Sequence, residues 1–182
     1  MAKKRAAPPW SDPAIREYNR IVDEYAKESD RAAAILAASH LEVLVEWVLR
    51  AYLVESKTTN DLFESNAPLS TFSGKVKCAF ALGLMQPSAL HDFDIVRRVR
   101  NRFAHETEVA SFDATPVVEW CHTFAQVKWP GQKTSDKPKE SRDLFLQAVA
   151  ALSAWADWTL DQMNAGTRPR CVPPPESERF GE

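Results

Sequence analysis

Apolar residues recur along this chain at intervals of three and four, which is the spacing of helices that bury one face. A first helix is predicted to begin at Ser11-Asp12-Pro13, where a capping side chain precedes a proline, and to continue to Tyr25. A second, longer helix is predicted from the cap at Ser29-Asp30 to about Val54. It is apolar around much of its circumference, so we expect it at the centre of the core.

The rest of the pattern predicts further helices separated by proline and glycine. They cover about 71–82, 87–104 and 139–164, with a shorter helix from Pro116 and a loop or short helix over 56–69. Gly83 and Gly166 are placed to end two of these helices, since glycine favours the left-handed C-terminal cap. Three tryptophans at helical spacing, Trp47, Trp120 and Trp155, are expected to pack in the core.

Composition supports an all-helical fold of one domain. The chain has 182 residues, which suffices for a single hydrophobic core. It has only 5 glycines, and no Asn-Gly or Asp-Gly pair lies between two runs of alternating apolar and polar residues, so β-hairpins are not predicted. We therefore predict an all-α, up-and-down bundle of about five helices with short extra helices. A flexible basic tail over 1–10 precedes this domain (11–166), and a Pro-rich tail over 167–182 is expected to be disordered.

Charge and cysteine usage narrow the class of protein. The net charge of −2, from 23 basic and 25 acidic residues, argues against a dedicated duplex-DNA-binding domain. The three cysteines form no CxxC pair, and no apolar run follows the basic N-terminus, so a secretory signal is not predicted. The most apolar helix carries Glu42, Glu46 and Arg50, which argues against a membrane span. We expect a cytoplasmic protein.

The candidate chemistry lies at the end of the fourth predicted helix. Arg97, Asn101 and His105 are four residues apart, so they share one face. Arg100 lies about 140° around the helix from His105. Contact between those two therefore needs the reach of the arginine, a distorted last turn, or the same helix from a second subunit.

These residue types suit cleavage of RNA. His105 is a candidate general acid or base, Arg100 a candidate phosphate clamp, and Asn101 a group that orients the histidine or the substrate. Together they would promote attack by a ribose 2′-hydroxyl on the neighbouring phosphate, which DNA cannot undergo. No metal ion or other cofactor is needed for that reaction.

The same residues have a structural interpretation. Basic side chains at a helix C-terminus interact favourably with the dipole and the free carbonyls, which would explain Arg100 and His105 without catalysis. Arg97, Arg98 and Arg102 are candidate nucleic-acid-binding residues, but most such charges are solvated or form weak ion pairs.

Two other groupings of polar residues are weaker candidates. His91 with Asp92 and Asp94 lacks further histidine or cysteine at ligand spacing, so we predict no metal site there. Cys121 and His122 are adjacent in sequence, which favours burial of one and exposure of the other over a nucleophile-base pair.

Two resemblances connect these patterns to known families. Arg100, Asn101 and His105 resemble the Arg-x4-6-His motif of the HEPN superfamily, many of whose members are metal-independent endoribonucleases that pool their motifs in a homodimer. Over about residues 30–164 the chain resembles the mannitol-operon-repressor family. The similar segments are 62–63, 68–75, 79–84, 100–105, 111–113 and 146–153. The Pro-rich tail and the lysine-rich loop at 128–139 depart from that family.

The resemblances imply three alternative functions. The first is a regulatory protein that controls gene expression through a protein partner and not by direct DNA binding. The second is a HEPN endoribonuclease, of toxin or defence type, that binds and cuts RNA with Arg100, Asn101 and His105. The third is a non-catalytic dimeric module in which the motif only builds an interface. A helix-turn-helix around Leu82-Gly83-Leu84 is disfavoured. In the following helix the polar residues alternate with residues expected in the core, so that helix is not free to enter the major groove of DNA.

Overall fold

The structure is a computed structural model, and it describes residues 20, 22–105, 111–125 and 140–172. Six helices have both ends within those ranges: α1 (Asp30–Tyr52), α2 (Lys57–Asp61), α3 (Phe72–Ala81), α4 (Pro87–His105), α5 (Val117–Cys121) and α6 (Ser141–Asn164). Residues 22–26 are also helical, and the described ranges contain no strand. The prediction of an all-α fold is confirmed. The rest of the first predicted helix, the tail at 1–10 and the loop at 128–139 lie outside the described residues.

Helix α1 is the centre of the bundle, as its apolar circumference predicts. It packs against α3, α4 and α6, and it contributes Leu41, Val45 and Leu49 to the core with no exposed surface. Its first turn is capped by Ser29, whose side chain accepts a hydrogen bond from the backbone of Ala32. By length and composition alone α1 could cross a membrane, despite its charged residues, but half of its most apolar window is buried by the other helices.

Aromatic contacts give the direction of α4 relative to α6. Phe93, in the first half of α4, packs edge-on against Trp155, in the second half of α6, with centroids 5.6 Å apart. At the opposite end, Phe112 lies between Phe103 and Phe145, with centroids 4.9 and 5.1 Å away. The two helices are therefore antiparallel, and the end of α4 lies beside the start of α6.

The turn before α3 explains why the segment 68–75 contains Thr71 and Gly74. Thr71 caps α3 by accepting a hydrogen bond from the Gly74 backbone at 3.1 Å. A Cβ placed on Gly74 would lie 2.5 Å from the backbone oxygen of Pro68. Only glycine therefore lets the turn approach the helix this closely.

Lys75, the last residue of that segment, is almost fully buried (6% exposed) and bridges α3 to α1. Its ammonium lies 2.9 Å from carboxylate oxygens of both Glu42 and Glu46. Arg50 continues the network with a 2.8 Å ion pair to Glu46, and its guanidinium covers the ring of Phe63 at 4.0 Å. Burial of one cation between two carboxylates avoids the cost of an unpaired buried charge.

Two expectations differ from the structure. Trp47 is 55% exposed and does not pack in the core, because it lies on the side of α1 opposite to the buried residues. A helix that is apolar on nearly every side does not reveal in its sequence which side faces solvent. Residues 167–172, which were expected to be disordered, contact the helical domain: Arg168 donates to the Gly83 carbonyl at 2.8 Å, and the backbone N–H of Cys171 donates to the backbone carbonyl of Tyr52. Residues 173–182 lie outside the described part of the chain.

Candidate functional site at the end of the fourth helix

The buried face of α4 determines where the candidate residues lie. Val96, Val99 and Phe103 have no exposed surface, so α4 is anchored in the core up to its last turn. The helix continues to His105, so the distorted last turn considered from the sequence is not observed. Arg100 and His105 are exposed as a consequence, and Asn101 is half-buried at the edge of the core.

The structure brings two of the three predicted catalytic residues together. Nη1 of Arg100 donates to Oδ1 of Asn101 at 3.1 Å. Within the described residues, no hydrogen bond joins His105 to either of them. His105 lies five residues beyond Arg100, a rise of about 7.5 Å along the helix. The chain thus presents an arginine-asparagine pair and a separate, accessible imidazole.

The three candidate nucleic-acid-binding arginines differ in environment. Arg97 contacts Asp94 on the same helix, with both hydrogen bonds to one carboxylate oxygen at 3.3 Å. Arg97 and Asp94 are half-exposed, and ion pairs near the surface contribute little to stability, so this pair leaves Arg97 able to change its partner. Arg98 is exposed, and Arg102 is half-buried and engaged with neighbouring groups. Arg98 is therefore the most accessible cation of the three.

Asp30, which the sequence identifies only as the start of a helix, anchors the segment 111–113 beside the end of α4. Oδ2 of Asp30 accepts a hydrogen bond from the backbone of Phe112 at 3.1 Å. Phe112 is buried under the end of α4 against Phe103. Asp30 thereby holds the segment 111–113 in place, a role that its capping pattern does not predict because the two residues are 82 positions apart.

His91 and Asp92 form hydrogen bonds that stabilise the fold. Nε2 of His91 lies 3.2 Å from the Thr123 carbonyl oxygen, and the fully buried carboxylate of Asp92 accepts from the Ala125 backbone at 2.8 Å. Both contacts fix the chain after α5 to the start of α4. In the described ranges, no group of three or more histidine, cysteine or acidic residues is placed to hold a metal ion.

Cys121 and His122, at the end of α5, differ in burial as the sequence predicts. Cys121 is buried and His122 is exposed. Burial raises the pKa of the Cys121 thiol to about 12, so it stays protonated at neutral pH. A protonated, enclosed thiol is a poor nucleophile, and Cys121 contributes to packing.

The arrangement at the end of α4 is suited to binding an anion. The exposed guanidinium of Arg100 donates one hydrogen bond to Asn101, and guanidinium groups of this kind suit phosphate or carboxylate because their donors form a fork. Proton transfer would need His105 within hydrogen-bond reach of the same bound group.

The sequence and the fold were compared with known protein families, curated proteins and solved structures. The sequence model of the family described as "Mannitol repressor" matches residues 31–163. A search of curated proteins found no match. Among solved structures, one chain of the X-ray structure of the MtlR-HPr complex from Escherichia coli is similar, with a TM-score of 0.55 and 13% sequence identity. The match covers 78% of this chain and 98% of that chain. At that identity the structural likeness shows a shared fold, whereas the family match spans α1 to α6: this chain belongs to the mannitol repressor family.

Proposed function

We propose that this chain is a cytoplasmic regulator of gene expression that acts by binding a protein partner, and that the partner is HPr. The observation that carries the proposal is the family match over residues 31–163. The similar solved structure is named as a complex with HPr, which supports a protein as the ligand. The net charge of −2 supports this over direct binding of duplex DNA, whose phosphates attract basic proteins.

The test is a calorimetric titration of the purified full chain with HPr from the same organism. We expect a saturable binding isotherm, and the MtlR and HPr of Escherichia coli serve as the positive control. If that control binds and this chain gives no heat across a range of temperatures, the proposed partner is incorrect. A parallel gel-shift series should show no sequence-dependent binding to duplex DNA at physiological salt.

A second candidate function is supported by the geometry at the end of α4. The Arg100-Asn101 contact and the exposed His105 would form a metal-independent endoribonuclease site of the HEPN type. A homodimer is part of this proposal, because one subunit does not bring His105 to the other two residues. The third alternative, a purely structural dimer, uses the same surface without chemistry.

Incubation of the protein with RNA and a chelator separates these alternatives. His105→Ala and Arg100→Ala should each lower cleavage about 100-fold or more, the usual contribution of a positioned acid or base for His105 and of a group that stabilises developing charge for Arg100. His122→Ala is the matched control, since that histidine is also exposed but lies after α5. Intact RNA with the wild type rejects the ribonuclease. A light-scattering mass that changes from dimer to monomer in the same variants would then support the structural dimer.

A further inference from the structure

Residues 168–172, which follow α6, cross one end of the bundle, and we call them the C-terminal strap. Its first anchor is the side chain of Arg168, which donates to the carbonyl of Gly83 at 2.8 Å and to that of Leu84 at 3.3 Å. Both carbonyls belong to the turn between α3 and α4. The strap therefore connects the end of α6 to the turn that leads into α4.

A second anchor lies three residues later. The backbone N–H of Cys171 donates to the carbonyl of Tyr52, the last residue of α1, at 2.8 Å. Carbonyls in the last turn of a helix have no partner within the helix, and this bond supplies one. The strap lies beyond residue 163, where the match to the family model ends. It adds a link between helix ends that the matched part of the chain does not include.

The strap is held by polar contacts and not by burial of apolar surface. Arg168 and Cys171 are half-buried, and the other three residues are exposed, with Val172 at 79%. A segment that buries little apolar surface, and whose hydrogen bonds are accessible to water, opens at a lower free-energy cost than the core does. The strap has both properties.

Departure of the strap leaves no carbonyl buried without a partner. Leu84 is buried, but its carbonyl also accepts from Nε1 of Trp155 at 3.3 Å and keeps that donor. Gly83 is exposed, and Tyr52 is half-buried at a helix end, so water can reach their carbonyls. Since water replaces the lost donors there, the net cost of breaking these hydrogen bonds is small.

The end of α6 is capped independently of the strap anchors. Gly166 has a φ of +69°, and the backbone N–H groups of Thr167 and Arg168 both donate to the Gln162 carbonyl, at 3.0 and 3.1 Å. A glycine in the left-handed region followed by such bonds terminates a helix. Helix α6 thus keeps its cap when the side chain of Arg168 and the residues after it move away.

We propose that the C-terminal strap is a conformational device, which opens and recloses while the helices stay folded. In the open state the carbonyls of Gly83 and Tyr52 become accessible acceptors at this end of the bundle. The turn into α4 also loses its link to Arg168 and keeps the one to Trp155. Events in the C-terminal segment are transmitted in this way to the start of the helix that carries the candidate site.

Amide hydrogen exchange of the full chain, followed residue by residue by NMR, tests the proposal. The Cys171 amide should be protected relative to an unstructured peptide, because it is bonded to Tyr52. Its protection should not change with low concentrations of urea, since a local opening exposes little surface. The amide of Leu152, a residue of α6 with no exposed surface, is the reference, and its exchange should accelerate steeply with urea.

Substitution of the first anchor should weaken the strap alone. Arg168→Gln should lower the protection of the Cys171 amide several-fold and leave that of Leu152 unchanged. Arg170→Gln is the matched control, because it removes the same charge from the strap, whereas the Arg170 side chain donates to Asn164 on α6. The control keeps the links to α1 and to the α3–α4 turn, so it should preserve the wild-type protection of Cys171.

Three results would overturn the proposal. Exchange at Cys171 that accelerates with urea as steeply as at Leu152 would show that the strap opens only when the whole protein unfolds. Exchange of the wild-type Cys171 amide at the rate of an unstructured peptide would show that the strap is not closed. Equal protection of Cys171 in the wild type and in Arg168→Gln would show that Arg168 does not hold the strap.

Discussion

Arg142 and Asp30 are 112 positions apart in the chain, yet Nη1 of the arginine lies 2.9 Å from Oδ1 of the aspartate. Nη2 of Arg142 donates to the backbone carbonyls of residues 25, 26 and 28, which precede α1. The second oxygen of Asp30 holds the backbone of Phe112. The pair of Arg142 and Asp30 therefore connects the starts of α1 and α6 to the segment 111–113, which packs beside the end of α4.

Replacement of Arg142 by methionine should lower the free energy of unfolding by about 1–3 kcal/mol, because it leaves a partly buried carboxylate and several carbonyls without their donor. Urea denaturation at neutral pH measures the change. Glu24→Gln breaks the exposed Arg20–Glu24 pair and should cost less than about 0.5 kcal/mol. Equal effects of the two substitutions would contradict the structural role given to Arg142.

The Lys75 network predicts a loss of stability in acid. Burial by itself would raise the pKa of Glu46, but hydrogen bonds and charge from Lys75 and Arg50 outweigh burial and lower it. A carboxylate whose pKa is lowered by folding stabilises the protein above its unfolded pKa, near 4.5, and loses that contribution as the pH falls through the folded value. The free energy of unfolding should therefore decrease below about pH 4.5.

Glu46→Gln tests the origin of that acid loss. The variant should be less stable than the wild type at pH 7 and should show a shallower decrease on acidification, because glutamine does not titrate. Denaturant titrations at several pH values give both quantities. Glu64→Gln, at an exposed carboxylate, is the control and should reproduce the wild-type curve. A Glu46→Gln curve parallel to the wild type would show that other groups cause the acid loss.

Gly74→Ala should destabilise the protein, although alanine is favoured over glycine in most helix interiors by about 1 kcal/mol. The new methyl group would lie 2.5 Å from the Pro68 carbonyl oxygen, so the capped turn before α3 must move. A loss of about 1–3 kcal/mol would lower the melting temperature by several degrees. Ser73→Ala, one position earlier, should change it little. A higher melting temperature for Gly74→Ala would disprove the close approach.

Cysteine alkylation should follow burial. At pH 8 the thiol of Cys121, with its pKa raised to about 12 by burial, should react with iodoacetamide only as fast as the protein unfolds. Cys171 is half-buried and should react faster. Mass mapping at intervals measures both rates, and low urea should accelerate the reaction of Cys121. Rapid labelling of Cys121 in the native protein would show that the end of α5 opens.

The local pattern of the sequence was enough to predict the helices. Asp30–Tyr52 begins at the predicted cap, and Pro87–His105 begins at the predicted proline. Capping, proline geometry and helical spacing act between residues within a few positions of each other, so the sequence displays them directly. The same locality predicted that Arg97, Asn101 and His105 share a face.

Which side of each helix faces the core, and which distant groups meet, was decided only by the tertiary structure. Trp47 is exposed because α1 is apolar on nearly all sides and the described helices that pack against it cover only part of its surface. Asp30 meets Arg142, and Lys75 meets Glu42, through packing that brings together residues remote in sequence. Such contacts depend on the relative placement of whole helices, for which the spacing of residues along any one of them contains no information.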